Sequence, residues 1–311
     1  MRVINRIIVT GANGFLGTAL CKKMADNGVF VYAIVKPGSE YDKEFDQNEH
    51  ISVFFCDMAD YNSLDNIITD RGFDIMYHLA WKGSSGILRG DYRLQISNIQ
   101  NSAEAVEVCE KLGCKRFVFA ASIMEYEIEA IINADKKSGI STIYSSSKKA
   151  ADYICRSVAD SKGVEYIRLL ISNVFGPGER SERLINSTIR KILNGEHCSF
   201  SSGDQMYDFI YIDDAIEEFI AVGKSGKHNK TYYIGTLEPK PLKEFLISLR
   251  DQINPSIELG IGDIPFDGVS LTYKEFDVNS VSKDTGYKPK VQFDEGIKRT
   301  IDDFVENMKN V

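Results

Sequence analysis

The sequence predicts an α/β protein with a doubly wound parallel sheet and a smaller C-terminal α/β domain. Short apolar runs alternate with amphipathic stretches over the first half of the 311 residues, and this alternation indicates βαβ units. The runs are rich in Val, Ile and Phe and mostly continuous rather than alternating, as expected of strands buried on both faces of a parallel sheet. The runs read VINRIIV, VFVYAIV, ISVFFC, DIMYHLAW, RFVFAAS and EYIRLLIS.

Apolar residues at helical spacing fall between these runs. They predict helices over residues 15–27, 60–70, 91–112 and 143–162. After about residue 175 the segment GPGER ends the alternation, and a helix near 182–194, a strand TYYIG and further helices follow. We expect residues 1–175 to form the main domain, to which segments of the later chain return, and residues 176–311 to form mostly a second domain.

Composition narrows the class of function. The formal net charge of −8 argues against a nucleic-acid or anionic-membrane partner, because proteins that bind such phosphates usually carry excess positive charge. No run of about 18 apolar residues predicts a membrane span, and the N-terminal segment lacks the apolar core of a signal peptide. Six cysteines without CxxC or zinc spacing predict buried, reduced thiols, no metal site and a cytoplasmic location.

A glycine-rich segment, TGANGFLG, joins the first predicted strand to the first predicted helix. Such a turn lets backbone N–H groups approach a pyrophosphate at the start of the helix. The same glycines could serve only a tight turn, but their place in the first βα unit favours dinucleotide binding. The predicted cofactor contacts of this loop are Gly11, Asn13, Gly14, Phe15, Leu16 and Gly17.

The end of the second predicted strand bears on the choice of cofactor. An acidic residue there usually binds the 2′-hydroxyl of NAD, whereas this chain has Lys36, followed by Pro37, Gly38 and Ser39. A cation and a hydroxyl would suit the 2′-phosphate, so we expect NADP, with NAD as the alternative. Lys36 could also be an ordinary solvated lysine. Asp57 is a candidate for binding the adenine amine, and Met58 beside it is a further predicted cofactor contact.

Several motifs occur in the order found in a known superfamily. They are TGANGFLG, CDM, HLAW, Asn98, RFVFAAS, YSSSK, SNVFGPG, DFIYIDDA and DTGYKP. Over nearly its whole length the chain resembles the extended short-chain dehydrogenase/reductase superfamily, in its NAD(P)-dependent nucleotide-sugar epimerase, dehydratase and reductase branch. The resemblance implies a Rossmann fold with a sugar-nucleotide domain and a catalytic set of Ser122, Tyr144 and Lys148.

The resemblance also implies further contacts. In addition to the residues named above, it implies that the cofactor is contacted by Leu79, Ala80, Asn98, Tyr144, Lys148 and Ile171. It implies that the nucleotide sugar is contacted by Trp81, Ser122, Ile123, Met124 and Asn173. Trp81 could line the sugar pocket or simply pack. Tyr207 stands where related proteins often have a pyrophosphate-binding arginine, and Arg180 or Arg183 could substitute for it. Three aspartates nearby, Asp208, Asp213 and Asp214, are expected to cap a helix.

The chemistry of the residues agrees with this assignment. A tyrosine with a pKa near 10 is a poor base at pH 7. Lys148 follows Tyr144 by four residues on one predicted helix, so the two side chains lie side by side, and the lysine charge favours the phenolate. Tyr144 could then exchange a proton with a sugar oxygen while hydride moves to or from the cofactor. Ser122 would hydrogen-bond the same oxygen.

Departures from the family pattern select among the reactions. The family's 4,6-dehydratases have an Asp–Glu pair directly after the catalytic hydroxyl residue, but here Ile123 and Met124 follow Ser122, and Glu125 is expected to point away. The sequence therefore argues against dehydration. It predicts an NADP-dependent 4-ketoreductase of a nucleotide-linked 4-keto-6-deoxyhexose, with an NAD-dependent 4-epimerase as the alternative. A non-catalytic dinucleotide-binding regulator ranks third because the catalytic set is complete.

The resemblance also predicts a homodimer. Many relatives dimerise through the two long helices that correspond to residues 91–112 and 143–162. Ala150, Ile154 and Val158 have the spacing of such an interface, although the same spacing would serve an internal core.

Overall fold

A computed structural model describes residues 2–309 of the chain. Within this part the strands are β1 (Arg6–Thr10), β2 (Phe30–Val35), β3 (Ile51–Phe55), β4 (Ile75–His78), β5 (Arg116–Ser122), β6 (Glu165–Ile171), β7 (Asn173–Phe175), β8 (Ser199–Phe200), β9 (Met206–Tyr207), β10 (Phe209–Tyr211), β11 (Lys230–Ile234), β12 (Lys240–Pro241) and β13 (Gly260–Ile261). The strands predicted from the apolar runs are confirmed, each within a few residues of its predicted position.

The helices of the same part are α1 (Phe15–Asp26), α2 (Leu64–Ile67), α3 (Tyr92–Lys111), α4 (Glu127–Asn133), α5 (Ile140–Lys162), α6 (Leu184–Leu193), α7 (Ile212–Ser225), α8 (Leu242–Ile253), α9 (Ser280–Thr285) and α10 (Phe293–Lys309). The prediction of one α-helix over residues 60–70 is wrong, because a 3-10 helix at Met58–Ser63 is followed by only a single turn of α-helix. Helix α4 was not predicted.

Seven strands form one sheet in the order β11-β6-β5-β4-β1-β2-β3. Every neighbouring pair in it is parallel. The order reverses on the two sides of β1, and β4 and β1 are neighbours, so the carboxyl ends of these two strands flank a topological switch point. The predicted Rossmann α/β fold is confirmed. Strand β11 comes from the later part of the chain and completes one edge of the sheet.

The sheet is covered on both faces, which explains the continuous apolar runs. Ile7 and Val9 of β1 belong to one core cluster, together with buried residues of α1 and α7. Ile8, between them, belongs to a second cluster, together with buried residues of α3 and α5. Successive side chains of a strand point to opposite faces of the sheet. When both faces are buried, polar residues therefore do not alternate with apolar ones along the strand.

The three aspartates expected to cap a helix do something else, so that prediction is wrong. Helix α7 begins after Tyr211 without a side-chain hydrogen bond at its cap. Asp208 instead accepts a hydrogen bond of 2.6 Å from the hydroxyl of Tyr233 on β11. Asp214 accepts hydrogen bonds from the Tyr287 hydroxyl at 2.6 Å and the Val291 N–H at 2.7 Å. An oxygen of Asp213 lies 3.7 Å from a guanidinium nitrogen of Arg299 on α10. The three carboxylates therefore contact distant segments of the chain.

All six cysteines are buried and unpaired, as predicted. Within residues 2–309 no helix has the length and apolar character needed to cross a membrane. The same residues contain no cluster of three or more His, Cys, Asp or Glu side chains that could hold a metal ion.

Candidate active site

The glycine loop between β1 and α1 packs so closely that side chains are excluded. Gly11 has a φ of +68°, and a Cβ there would lie 2.8 Å from the backbone nitrogen of Ala80. A Cβ on Gly17 would lie 2.1 Å from the Gly11 oxygen, well inside normal contact. The N–H of Gly14 donates to that same oxygen at 3.0 Å. The loop thus keeps the start of α1 close to the ends of β1 and β4.

A cavity of about 370 Å³ opens over this loop. Its lining includes all six loop residues predicted to bind a cofactor, from Gly11 to Gly17. It also includes five other predicted residues: Lys36, Met58, Leu79, Ala80 and Trp81. The backbone at a helix N-terminus, a glycine cradle and an adjoining cation form a chemically suitable place for a dinucleotide phosphate. The residues present therefore fit a nicotinamide dinucleotide.

Some lining residues were missed from the sequence. Cys56, Tyr61, Lys82, Ser84 and Ser85 also line the cavity. Lys82 follows the HLAW motif directly, so proximity to a motif was an available signal. Ser39, whose hydroxyl is predicted with Lys36 to suit a 2′-phosphate, lines the cavity as well. Arg183, one of the two substitutes considered for the missing pyrophosphate arginine, lines the cavity as well and lies 3.8 Å from Glu179.

Asp57 is placed beside the cavity but is already engaged. Its Oδ1 accepts a hydrogen bond from the Ala59 N–H at 2.9 Å and lies 2.6 Å from the Nζ of Lys82. Burial acts to raise the pKa of Asp57, but the Ala59 hydrogen bond and the charges of Lys82 and Lys36 hold it below its ordinary value. Asp57 is therefore an anion whose partner is a protein lysine.

Asn98 lies away from the cavity lining and holds the loop after β4. Its side chain is fully buried in α3. It donates to the Lys82 carbonyl at 2.8 Å and accepts from the Lys82 N–H at 3.2 Å. Ile171 is buried in the core at the end of β6, and Asn173 donates to the Asp208 carbonyl at 3.1 Å. These three predicted contacts have structural partners here, and their roles toward ligands stay predictions.

Ser122 ends β5 and starts a 3-10 turn. Its Oγ accepts a hydrogen bond of 3.3 Å from the N–H of Met124, while its own N–H donates to Oε1 of Glu125 at 3.0 Å. This reciprocal arrangement is a capping box. Ile123 is buried and Met124 half-buried. The turn fixes the hydroxyl of Ser122 at the carboxyl end of the sheet, where ligands of α/β folds bind.

Glu125 faces away from the open side of the site. Its carboxylate forms a buried ion pair with Arg168 on β6, and Nε of Arg168 lies 3.3 Å from Asp152 on α5. Burial raises the pKa of Glu125 despite the arginine charge. With its oxygens committed to Arg168 and the backbone of Ser122, Glu125 braces the turn. The sequence could not show this network, because its members come from three separate elements.

Tyr144 and Lys148 lie one turn apart on α5, and both are almost fully buried. The Nζ of Lys148 donates a hydrogen bond of 2.8 Å to the carbonyl of Ala120 on β5. Burial lowers the pKa of Lys148 to about 7, and the negative charge of Glu125 opposes this. Burial raises the pKa of Tyr144, opposed by the charge of Arg89 and by the hydroxyl of Ser122.

Trp81 joins the cavity to the catalytic set. It lines the cavity, and its ring meets the ring of Tyr144 edge-on with centroids 6.2 Å apart. The Nζ of Lys148 lies 3.9 Å from the centroid of the Trp81 ring. Its indole N–H donates to Gln95 at 2.9 Å, which fixes the ring. Trp81 therefore packs against Tyr144 and lines the cavity over the glycine loop, and its contact with the sugar stays a prediction.

Known proteins resemble this chain over nearly all of its length. The model of the family described as NAD dependent epimerase/dehydratase matches residues 7–235. Human dTDP-D-glucose 4,6-dehydratase is 24% identical, in an alignment covering 98% of this chain and 91% of the human protein.

Solved structures share the fold over almost the whole chain. UDP-glucose 4-epimerase from Thermotoga maritima is 21% identical with a TM-score of 0.80, covering 97% of this chain and 99% of the epimerase. UDP-glucuronic acid 4-epimerase from Bacillus cereus, in complex with UDP-glucuronic acid and NAD, is 21% identical with a TM-score of 0.79 and the same coverage of both chains.

Proposed function

The chain belongs to the NAD dependent epimerase/dehydratase family, and we propose that it is an NADP-dependent 4-ketoreductase of a nucleotide-linked 4-keto-6-deoxyhexose. One observation carries the proposal. Trp81 both lines the cavity above the glycine loop and contacts Tyr144 and Lys148. The dinucleotide cradle and the proton-transfer residues are thus parts of one site.

The chain's own residues supply binding, orientation and the proton. The glycine loop and the start of α1 hold the pyrophosphate, and the nicotinamide, when bound, supplies the hydride. Ser122 donates a hydrogen bond from Oγ to the ketone oxygen, and Tyr144 transfers the proton of its hydroxyl to that oxygen as the carbon is reduced. Trp81 and Lys148 close the buried side of this centre against water.

The absence of a second acid–base pair beside Ser122 supports reduction over dehydration. Eliminating water requires groups that remove a carbon-bound proton and protonate the leaving hydroxyl. Ile123 and Met124 cannot exchange protons, and the carboxylate of Glu125 is bound to Arg168 and the Ser122 backbone. What these residues support is exchange between a ketone and an alcohol.

Two features support NADP. Lys36 is exposed at the end of β2 and lines the cavity beside Ser39. Lys82 neutralises Asp57 at 2.6 Å, so the carboxylate repels a 2′-phosphate less. An NAD-dependent 4-epimerase is the second candidate, favoured by the shared fold of the two 4-epimerases named above. Both reactions would use Ser122, Tyr144 and Lys148.

We also propose the wider setting of the enzyme. Six buried, unpaired thiols support a cytoplasmic location. We place the domain border near residue 175, with β11 returning to the sheet. A homodimer is supported by two apolar side chains that are exposed on the long helices: Ile154 on α5 is 44% exposed and Ile96 on α3 is 58% exposed. Val158, in contrast, packs against the core of its own chain. Light scattering tests this, and a monomer mass would refute it.

The function is tested by mixing the purified protein with a panel of nucleotide-linked 4-keto sugars and either NADPH or NADH. The proposal predicts loss of NADPH, in proportion to sugar consumed, at a higher kcat/KM than with NADH. Tightly bound NAD in the purified protein, together with interconversion of 4-epimers and no net consumption of NADPH, would instead establish the epimerase.

A further inference from the structure

A second cation, Arg89, lies against the catalytic tyrosine. It belongs to the 3-10 turn Gly86–Gly90, in the loop between β4 and α3. Its guanidinium carbon lies 4.4 Å from the centroid of the Tyr144 ring. A cation over an aromatic face is attracted by the electron density of the ring, and this attraction grows when the phenol becomes a phenolate with a full negative charge.

Among residues 2–309 no carboxylate lies within ion-pair distance of Arg89, and Glu127 acts on it only through a longer-range charge interaction. The side chain forms no ion pair and no hydrogen bond in that part of the chain, and its Nε is buried without a partner. Arg89 as a whole is half-buried, but a buried N–H without an acceptor is costly, so a structural role in packing alone is a poor explanation. Its positive charge is not paired with a carboxylate and can act on Tyr144.

Lys148 is engaged elsewhere in the same structure. Its Nζ donates to the carbonyl of Ala120 at 2.8 Å and lies over the Trp81 ring at 3.9 Å. Burial lowers the pKa of Lys148 to about 7, so Lys148 holds its charge less firmly than an ordinary lysine does. Of the two basic residues, the one stacked on the Tyr144 ring and permanently charged is Arg89.

We propose that Arg89 is a positioning residue that stabilises the phenolate of Tyr144, a task that sequence spacing alone would give to Lys148. The use of this effect in catalysis rests on the proposed function of Tyr144 in proton transfer. The effect itself does not, because it concerns the ionisation of one side chain and can be measured without a substrate.

Other groups around Tyr144 modulate the effect. The pKa of Tyr144 is raised by burial and lowered by Arg89, the Ser122 hydroxyl and Arg183, while the charge of Glu125 raises it. Glu127, at the start of α4, also interacts electrostatically with Arg89. Burial raises the pKa of Glu127 to about 7, and the arginine charge acts to lower it. Tyr207 on β9 is half-buried, and burial and the charge of Glu127 raise its pKa while the charge of Arg89 lowers it. Among these groups, Arg89 exerts the largest charge effect on Tyr144.

The test is a titration of Tyr144 by NMR in the full-length protein labelled with ¹³Cζ-tyrosine, without substrate. The resonance missing from a Tyr144→Phe variant identifies the residue. Arg89→Gln removes the charge, Arg89→Lys retains it, and Arg93→Gln is the matched control. The guanidinium carbon of Arg93 lies 4.7 Å from the centroid of the Tyr92 ring, and this tyrosine is exposed. Circular dichroism at each pH shows that the variants stay folded.

We expect the Tyr144 resonance of Arg89→Gln to titrate about one pH unit or more above that of the unmodified protein. Arg89→Lys restores part of the shift and Arg93→Gln causes none. An unchanged midpoint in Arg89→Gln, or a larger upward shift in Lys148→Met than in Arg89→Gln, overturns the proposal. If Tyr144 titrates as predicted but the unmodified protein reduces no nucleotide-linked 4-keto sugar, the proposed reaction fails and the role of Arg89 stands.

Discussion

The ammonium group of Lys148 lies 3.9 Å from the centre of the Trp81 ring and donates to the carbonyl of Ala120. An apolar ring and one carbonyl replace most of the water that an ordinary lysine would have around it. This desolvation lowers the pKa of Lys148 to about 7. The residue therefore contributes to a dependence of stability on pH as well as to the site.

Lys148→Met should alter the pH dependence of stability in the ligand-free protein. The pKa of Lys148 is lower in the folded chain than in the unfolded chain, so the unfolded state binds more protons between about pH 7 and pH 10. Wild-type stability gains from this lysine as pH rises through that window. We expect Lys148→Met to raise Tm most at pH 7 and progressively less toward pH 10. Thermal unfolding monitored by circular dichroism measures the Tm of both proteins at each pH. A difference in Tm that is the same at all pH values would contradict this prediction.

Lys36→Asp should shift cofactor preference. The substitution replaces the cation at the end of β2 with an acid that repels a 2′-phosphate and can accept from a 2′-hydroxyl. We expect the ratio of kcat/KM for NADPH to that for NADH to fall about tenfold or more. Lys43→Asp makes the same change in charge at an exposed lysine outside the cavity lining. Equal shifts in the two variants would show that only overall charge matters.

Glu125→Gln should destabilise the protein strongly. It leaves Arg168 buried without its principal counter-ion, and breaking a buried pair in this way costs about 3–5 kcal/mol. Urea unfolding measures the loss. Glu129→Gln breaks an exposed pair with Lys149 and should cost less than about 1 kcal/mol.

Combining Glu125→Leu with Arg168→Met should recover part of the stability lost in Glu125→Gln. Both charges of the pair are then absent, and Asp152 keeps the hydrogen bond from Tyr166 at 2.7 Å. A double variant less stable than Glu125→Gln would show that the ion pair itself is net stabilising.

Gly17→Ala should impair dinucleotide binding. Its new Cβ would lie 2.1 Å from the Gly11 oxygen, so the loop must move and the cradle opens. We expect about 1–3 kcal/mol of destabilisation and at least about tenfold weaker NADPH binding by fluorescence titration. Gly139→Ala is the control, because a Cβ there meets no atom within 4 Å. Unchanged NADPH affinity in Gly17→Ala would remove the loop from the binding site.

The sequence predicted those features that depend on neighbouring residues. Buried parallel strands are continuously apolar, so β1 to β6 were visible, and a four-residue spacing on a helix brings Tyr144 and Lys148 together. The contacts of Arg89 and Glu125 were not visible, because each meets a partner far along the chain. Asp214 illustrates the same limit: a helix-start acid suggests a cap, but its partner Tyr287 lies 73 positions away.

Hydride transfer is tested most directly with NADPH that carries deuterium at both C4 positions of the nicotinamide. The labelled cofactor is mixed with a nucleotide-linked 4-keto-6-deoxyhexose, and the product is analysed by mass spectrometry. The account predicts one deuterium at C4 of the sugar with the unmodified protein and with Tyr153→Phe, whose tyrosine is exposed on the same helix. With Tyr144→Phe it predicts formation slower by about 10²-fold or more. Product formed without deuterium at C4, or formed at the same rate by Tyr144→Phe, would contradict the account.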